Sequence, residues 1–235
     1  MMNNRIQRVR HEIKRREVEV VNVQHLTPNY VSVTFKGETL HDFVSASYDD
    51  HVKFMLSDAD RRDFTPRSFD NVAGELTIEF ALHATGAASD WARQAAPGQT
   101  AVIAGPRGSM IIPMDYTWHV LAGDATALPA IRRRLEELPA DARVHVLVAG
   151  EEAATLVFRS EAQVHLQRYA DAETLLNAIG ALSLPDGDGF VWFAGEAAVA
   201  AQVRDMVFGD KGHPREAARI SAYWKQGASG HHEDL

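Results

Sequence analysis

The feature that most constrains the fold is a change in the spacing of apolar residues about halfway along the 235-residue chain. Up to residue 104, short runs alternate apolar and polar residues between turn residues, which is typical of antiparallel strands. After Pro113, short apolar runs alternate with helical patterns, which is typical of a parallel sheet covered by helices. The sequence therefore predicts two domains of different class, with a boundary near residues 112–116.

The first half of the chain predicts six short strands and one short helix. The strands cover residues 18–23, 30–35, 52–56, 64–69, 75–82 and 99–104, and the helix covers residues 88–95. Six short strands at this spacing favour a small antiparallel β-barrel. We expect a six-stranded Greek-key β-barrel over residues 18–113.

The second half predicts a Rossmann-like parallel α/β domain over residues 114–235, ending in a polar tail. Its predicted strands are residues 118–122, 144–149, 164–167, 190–194 and 220–224. In open α/β sheets, ligands bind beyond the carboxyl ends of the strands. Two of these ends carry small-residue turns, Gly123-Asp-Ala-Thr126 and Gly195-Glu196. Each brings backbone N–H groups and a helix N-terminus to the same edge, which suits a phosphate or a nicotinamide ribose.

Composition excludes several classes of function. A net charge of −8 argues against a broad nucleic-acid-binding surface. The absence of cysteine removes disulfides, thiolate nucleophiles and thiolate-ligated clusters. No apolar run is long enough for a membrane span, and the first residues lack the apolar segment of a signal peptide. We therefore expect a cytoplasmic protein without membrane insertion, and its basic residues 1–17 to form a solvated arm, with contact to a polyanion as the alternative.

Eleven histidines raise the alternative of a metalloenzyme. Their scatter shows no His-Glu-x-x-His or similar spacing, so we expect no metal site. His145 and His165 lie within strand patterns and are interpreted as core or surface residues. The pair His231-His232 in the polar tail could bind metal adventitiously.

The segment Arg62-Asp-Phe-Thr-Pro-Arg67 combines groups that suit a flavin dinucleotide. Pro66 fixes its own φ and holds Thr65 in an extended conformation. The guanidinium groups of Arg62 and Arg67 suit a pyrophosphate, the ring of Phe64 suits the isoalloxazine, and the hydroxyl of Thr65 suits its reactive nitrogen. The alternative is a charged loop between two strands.

Five short motifs occur in an order that resembles the siderophore-interacting proteins, which are FAD-containing ferric-siderophore reductases of the ferredoxin-reductase type. The motifs begin at Arg62, Phe80, Gly105, Gly123 and Ala222, and the resemblance covers residues 18–227. It implies that Arg62 holds the flavin pyrophosphate, that Phe64 lies along the flavin, and that the Thr65 hydroxyl faces the flavin N5 as the catalytic residue.

The resemblance assigns further contacts in two regions. In the first domain it implies cofactor contacts by Arg67, His83, Thr85, Ser89, Arg107 and Ser109, with Ser89 capping the short helix. In the second domain it implies nicotinamide-nucleotide contacts by Gly123, Asp124, Thr126, Gly195, Glu196 and Trp224. Ala125 stands where the family often has an acidic residue, which leaves the electron donor open. Lys225 is the candidate cation for an anionic ferric siderophore.

The function implied by the resemblance is FAD-dependent reduction of ferric siderophores, with electrons from NADPH or NADH and release of iron(II). Two alternatives remain open. The same flavoprotein could take electrons from reduced ferredoxin, or the chain could be a non-enzymatic module that binds siderophore or flavin. We expect a monomer.

Overall fold

The computed structural model describes residues 5–82, 86–228 and 233–234. The chain divides into two compact units, with the change between Ile112 and Pro113. The first unit is built on antiparallel strands and the second on parallel strands. The expected mixed β and α/β class is therefore confirmed.

The first unit contains nine strands and one α-helix among the described residues. They are β1 (Gln7–Arg10), β2 (Arg15–Thr27), β3 (Tyr30–Lys36), β4 (Val52–Met55), β5 (Arg61–Phe64), β6 (Pro66–Asp70), β7 (Glu75–Ala81), α1 (Ala87–Arg93), β8 (Thr100–Ala104) and β9 (Gly108–Ile111). Seven of the strands form one antiparallel sheet in the order β5-β4-β8-β2-β3-β7-β6. The strands β1 and β9 pair separately.

The core of this unit follows from the alternation in its strands. Phe35, Phe54, Ile78, Phe80 and Ile103 are fully buried, whereas their sequence neighbours face away from this core. Burying one such side chain stabilises the fold by about 1.5–3 kcal/mol. The period-two pattern thus determines which face of each strand lies inside.

The two edges of the seven-stranded sheet meet at Thr65. The strands β5 and β6 are first and last in the strand order, yet Thr65 alone separates them in sequence. The sheet must therefore curl until its edges are adjacent. The expected single strand over residues 64–69 is two strands, because Pro66 has no N–H group to continue the ladder.

The N-terminal segment differs from the expected solvated arm. Residues 7–10 pair with β9, and β2 begins at Arg15 rather than Val18. Arg16 is only 5% exposed and donates hydrogen bonds to the Thr39 backbone oxygen and to Asp42. The prediction failed because all four side chains of β1 are exposed, so no apolar alternation marks a strand held by its backbone.

The second unit contains six strands and four α-helices among the described residues. They are β10 (Trp118–Gly123), α2 (Leu128–Glu137), β11 (Arg143–Ala149), α3 (Glu151–Thr155), β12 (Gln163–Tyr169), α4 (Ala172–Ala181), β13 (Gly189–Glu196), α5 (Ala197–Asp205), β14 (Ala218–Trp224) and β15 (Glu233–Asp234). Five strands form a parallel sheet in the order β12-β11-β10-β13-β14, and β15 adds antiparallel to β14. Within the described residues, no helix is long and apolar enough to cross a membrane.

Candidate functional site

Arg62 lies on β5, opposite Phe54 of β4. Its guanidinium donates hydrogen bonds to the Asp60 carboxylate and to the Arg61 backbone oxygen. The side chain keeps 24% of its surface exposed. An anionic ligand could therefore reach this guanidinium by exchanging with the Asp60 carboxylate.

Phe64 at the end of β5 is anchored to the core by aromatic contacts. Its ring centroid lies 4.4 Å from that of Phe80 and 6.0 Å from that of Phe54. The ring is only partly buried, so it retains surface for a further contact. The following residue, Thr65, is 5% exposed and lies where the two sheet edges meet.

Arg67 is not a second exposed cation beside Arg62. It is 8% exposed, and its Nε lies 3.5 Å from Oε1 of Glu79, which is 5% exposed. The guanidinium is therefore committed to a buried ion pair between β6 and β7. Local sequence patterns do not reveal this pairing. Glu79 lies on the strand face opposite Ile78 and Phe80, and nothing in the alternation shows that this face is covered.

The predicted cap of the short helix is wrong. Helix α1 begins at Ala87, and Gly86 occupies the cap position with φ of 143°, a conformation that favours glycine. Ser89 therefore lies inside the first turn, where it is 6% exposed. The predicted contacts His83 and Thr85 lie outside the described residues.

Arg107 and Ser109 lie in different environments, although both belong to the five-residue motif Gly105-Pro-Arg-Gly-Ser109. Arg107 is exposed. The Ser109 hydroxyl donates to Oδ2 of Asp50 at 2.6 Å, accepts from the Ala46 N–H at 3.2 Å and lies 2.8 Å from Nε2 of His11. These three partners use the hydrogen-bonding capacity of the hydroxyl, so Ser109 supports the fold and is not available to a phosphate.

The buried Asp50 is the centre of a network that sequence analysis missed. Its Oδ2 also accepts from the Ser45 hydroxyl at 2.9 Å and from the Ser47 N–H at 3.1 Å. Together these bonds join β9 to the loop that precedes β4. Two of its members, Ser109 and His11, lie far from Asp50 in the sequence, so no local motif identifies the network.

In the second unit, the Asp124 carboxylate connects the predicted nucleotide residues. Its Oδ1 accepts from the Thr126 N–H at 2.9 Å and from the Thr126 hydroxyl at 2.6 Å. Its Oδ2 accepts from Trp224 Nε1 at 2.8 Å and from the Glu196 N–H at 3.1 Å. The structure thus brings residues from the carboxyl ends of β10, β13 and β14 to one point.

Gly123 and Gly195 at this edge leave room for neighbouring atoms at the place where any other residue would carry a Cβ atom. A Cβ atom at Gly123 would lie 2.2 Å from the Ala194 backbone oxygen. At Gly195 it would lie 2.8 Å from Oδ2 of Asp124. Both distances are too short for a methyl group, so the arrangement of Asp124 depends on glycine at these two positions.

Glu196 caps helix α5 with its own side chain. Its Oε2 accepts from the Ala198 N–H at 2.6 Å and from the Val199 N–H at 3.2 Å, and its Oε1 accepts from the Gln226 N–H at 3.3 Å. A carboxylate therefore already occupies the helix N-terminus that would otherwise attract a phosphate. With Asp124 beside it, this edge favours hydroxyl donors such as those of a ribose over a phosphate.

Lys225 follows directly on β14 and is exposed. Its backbone pairs with Ala228 in an isolated bridge. The side chain is thus placed at the surface next to Trp224, at the same strand end as the Asp124 network.

Each of the two units matches a model of one protein family. The model of the siderophore-interacting FAD-binding domain matches residues 19–62 and 58–110. The siderophore-interacting protein model matches residues 116–227. The chain is 30% identical to the NADPH-dependent ferric-chelate reductase of Escherichia coli K12, over 93% of this chain and 96% of that protein. It is 26% identical to the ferric vibriobactin reductase ViuB of Vibrio cholerae, over 99% and 97% respectively.

Solved structures agree with these matches. A siderophore utilization protein from T. fusca superposes with a TM-score of 0.86 at 31% identity, covering 96% of this chain and 98% of that one. The siderophore-interacting protein SipS from Aeromonas hydrophila superposes with a TM-score of 0.80 at 28% identity, covering 94% of both. The ferredoxin reductase of carbazole 1,9a-dioxygenase shares the fold at 19% identity, with a TM-score of 0.69 over 90% of this chain and 70% of that one. The resemblance inferred from the motifs is therefore confirmed, and the chain belongs to the siderophore-interacting protein family.

Proposed function

We propose that this protein is a ferric-siderophore reductase that holds FAD on its antiparallel unit, residues 18–113, and takes electrons from NADPH on its parallel unit, residues 114–235. Two similar proteins are named as an NADPH-dependent ferric-chelate reductase and a ferric vibriobactin reductase. The FAD-binding family model covers the segment around Thr65. These relationships support FAD as the cofactor, NADPH as the donor and a ferric chelate as the substrate class.

The observation that carries the proposal is the join between the two sheet edges. Arg62 and Phe64 lie two residues apart on β5, and Thr65 follows at the junction with β6. They offer a partly exposed guanidinium, a partly exposed ring and a hydroxyl, which together fit the pyrophosphate, isoalloxazine and polar edge of a flavin dinucleotide. Closure of the curled sheet into a barrel would fix these three groups relative to one another.

Each residue of this segment would have a distinct task. Arg62 would exchange its bond to Asp60 for charge-assisted bonds to the pyrophosphate. Phe64 is anchored by Phe80 and Phe54 and would offer the isoalloxazine a fixed surface. Thr65 would hold a hydrogen bond to the flavin. Arg107, which is exposed, is the remaining candidate for a phosphate contact.

Bound FAD would supply the redox chemistry, because a flavin can accept two electrons together and pass them on one at a time. The protein need only hold NADPH and the ferric siderophore within reach of it. Iron(III) remains coordinated by its chelator as the substrate, and iron(II) leaves because the chelator holds it more weakly.

On the parallel unit, the network around Asp124 would bind the nicotinamide ribose. The Glu196 carboxylate, whose Oε1 accepts a single bond from the Gln226 N–H, can accept a further hydrogen bond from a ribose hydroxyl. Asp124 would hold Glu196 and Trp224 in position, and the Trp224 ring offers an apolar surface beside them. Gly123, Gly195 and Thr126 would hold this arrangement in place. Lys225 would attract an anionic ferric siderophore, and we propose that the protein acts as a monomer.

The proposal is tested by measuring iron(II) release with a chelating dye. Purified protein with FAD and a ferric siderophore is supplied anaerobically with NADPH, NADH or reduced ferredoxin. We expect many iron(II) ions per protein with NADPH. A yield of one or less with every donor would instead support a binding module, and activity with ferredoxin alone would move the donor site away from Asp124.

A further inference from the structure

Two histidines of the parallel unit face one another at the edge of its sheet. His145 on β11 and His165 on β12 are directly paired in register. Because the strands are parallel, paired residues project to the same face of the sheet. The ring centroids lie 5.7 Å apart with an angle of 65° between the ring planes. Neither residue belongs to the Asp124 network described above.

Both imidazoles are accessible and uncommitted. His165 is exposed and His145 is partly buried, and β12 is the outermost strand of the parallel sheet. Within residues 5–82, 86–228 and 233–234, neither ring has a hydrogen-bonding partner. Their nitrogen lone pairs are therefore free for a ligand that accepts electrons.

The distance between the two ring centroids fits two imidazoles that bind the same metal ion. A metal–nitrogen bond of about 2.1 Å, added to about 1.1 Å from ring nitrogen to ring centroid, places each centroid about 3.2 Å from the ion. Two rings on one ion can then have centroids up to about 6.4 Å apart. The observed 5.7 Å corresponds to an angle of about 125° at the ion, which small ring rotations would bring towards tetrahedral.

We propose that His145 and His165 form a binding site for one divalent late first-row transition-metal ion. Imidazole nitrogen is the typical protein ligand for this class of ion. In the described part of the chain, no group of three or more His, Cys, Asp or Glu side chains is arranged to hold a metal. The site therefore has two protein ligands, and water completes the coordination.

The electrostatic surroundings set the strength of this site. Burial lowers the pKa of His145, and His165 and Arg143 lower it further. These effects favour the neutral imidazole, which is the form that binds metal. The positive charge of Arg143 opposes any divalent cation alike. Because the ligands are imidazole nitrogens, we expect nickel and copper to bind more tightly than iron(II).

The test is calorimetric titration with Ni²⁺ in a background that removes the competing tail histidines. The reference protein carries His231→Ala and His232→Ala. His145→Ala and His165→Ala are each added to it, and His25→Ala, which removes an exposed histidine on β2, is the matched control. We expect the reference protein to bind one Ni²⁺ per chain. Either site substitution should weaken binding at least tenfold, whereas the control should change it less than twofold.

Thermal melts without metal show whether each variant is folded. If His145→Ala destabilises the protein, His165→Ala decides the test alone, because its side chain is exposed. Equal Ni²⁺ binding by the reference protein and by His165→Ala would overturn the proposal. So would the absence of saturable binding by the reference protein.

Discussion

The indole Nε1 of Trp224 donates a hydrogen bond to Oδ2 of Asp124 at 2.8 Å, across 100 positions of sequence. Trp224 is the last residue of β14 and Asp124 follows β10, and β13 separates these two strands in the sheet. One carboxylate thus ties together the ends of three strands. Phe in place of Trp224 would keep a ring but remove this donor.

We expect Trp224→Phe to lower the free energy of unfolding by about 1.5–3 kcal/mol, because a hydrogen bond to a charged group is lost. Under the proposed function it should also raise the KM for NADPH, while FAD binding stays unchanged. Urea denaturation and steady-state kinetics measure the two effects. Asp124→Ala, which removes the acceptor, and the double variant complete a cycle, in which the two losses should be far from additive. Additive losses would show that the bond does not couple the two residues.

Arg62→Ala should weaken FAD binding at least tenfold. Charge-assisted bonds of about 1.5–3 kcal/mol would be lost, and about 1.4 kcal/mol corresponds to a factor of ten. The matched control is Arg61→Ala, which removes the exposed neighbour on the same strand. Fluorescence titration of the apoprotein with FAD gives both dissociation constants. Equal values for the two variants would rule out Arg62 as the pyrophosphate ligand.

Because Arg67 and Glu79 form a buried ion pair, we expect the effects of substituting them on the free energy of unfolding to be strongly non-additive. Glu79→Ala removes a counter-charge from the buried Arg67 guanidinium and should cost about 3–5 kcal/mol. Replacing both residues by methionine should recover most of that loss, because well-packed apolar residues often replace a buried pair at little cost. Urea denaturation measures each free energy of unfolding.

The exposed pair of Arg93 and Asp90, whose atoms lie 3.0 Å apart, is the control. Asp90→Ala should cost less than about 1 kcal/mol, because solvent screens surface pairs. If Glu79→Ala lowers the free energy of unfolding no more than Asp90→Ala does, the buried pair does not stabilise the fold.

Stability should fall as the pH decreases from 6.5 to 4, partly through His119. This residue is fully buried, and burial lowers its pKa to about 4, with a smaller effect from Arg134. Between these values the unfolded chain binds a proton that the folded protein does not. The free energy of unfolding therefore decreases by up to about 1.4 kcal/mol per pH unit, or about 3 kcal/mol in total.

The measurement compares wild type with His119→Gln by urea denaturation at pH 7, 6 and 5. Burial also lowers the pKa of His145 and His213, so both proteins should lose stability as the pH falls. The loss should be smaller in the variant. Parallel profiles would show that His119 is protonated alike in the folded and unfolded states.

The strand pattern was predictable wherever one face of a strand lies in a core. The alternation in residues 75–82 identified β7 almost to the residue, because Leu76, Ile78 and Phe80 are buried. The same reasoning missed β1, whose side chains are all exposed. The same reasoning also predicted β5 and β6 as part of one strand. The structure separates them at Thr65, because β5 pairs with β4 whereas β6 pairs with β7.

The candidate site was predictable where topology alone brings residues together. Parallel strands end at a common edge, so Asp124 and Glu196 could be placed near one another from the sequence. Their tasks were not predictable: each carboxylate caps a helical turn with its own side chain. Buried partners such as Glu79 and Asp50 were missed because each pairs with a distant residue through a contact that leaves no local pattern.

The most direct test of the central claim is the visible absorption spectrum of the purified protein during anaerobic addition of NADPH and then of a ferric siderophore. The account predicts a flavin band that bleaches with NADPH and returns as iron(II) appears. A colourless protein that neither takes up FAD nor changes its spectrum with NADPH would contradict it.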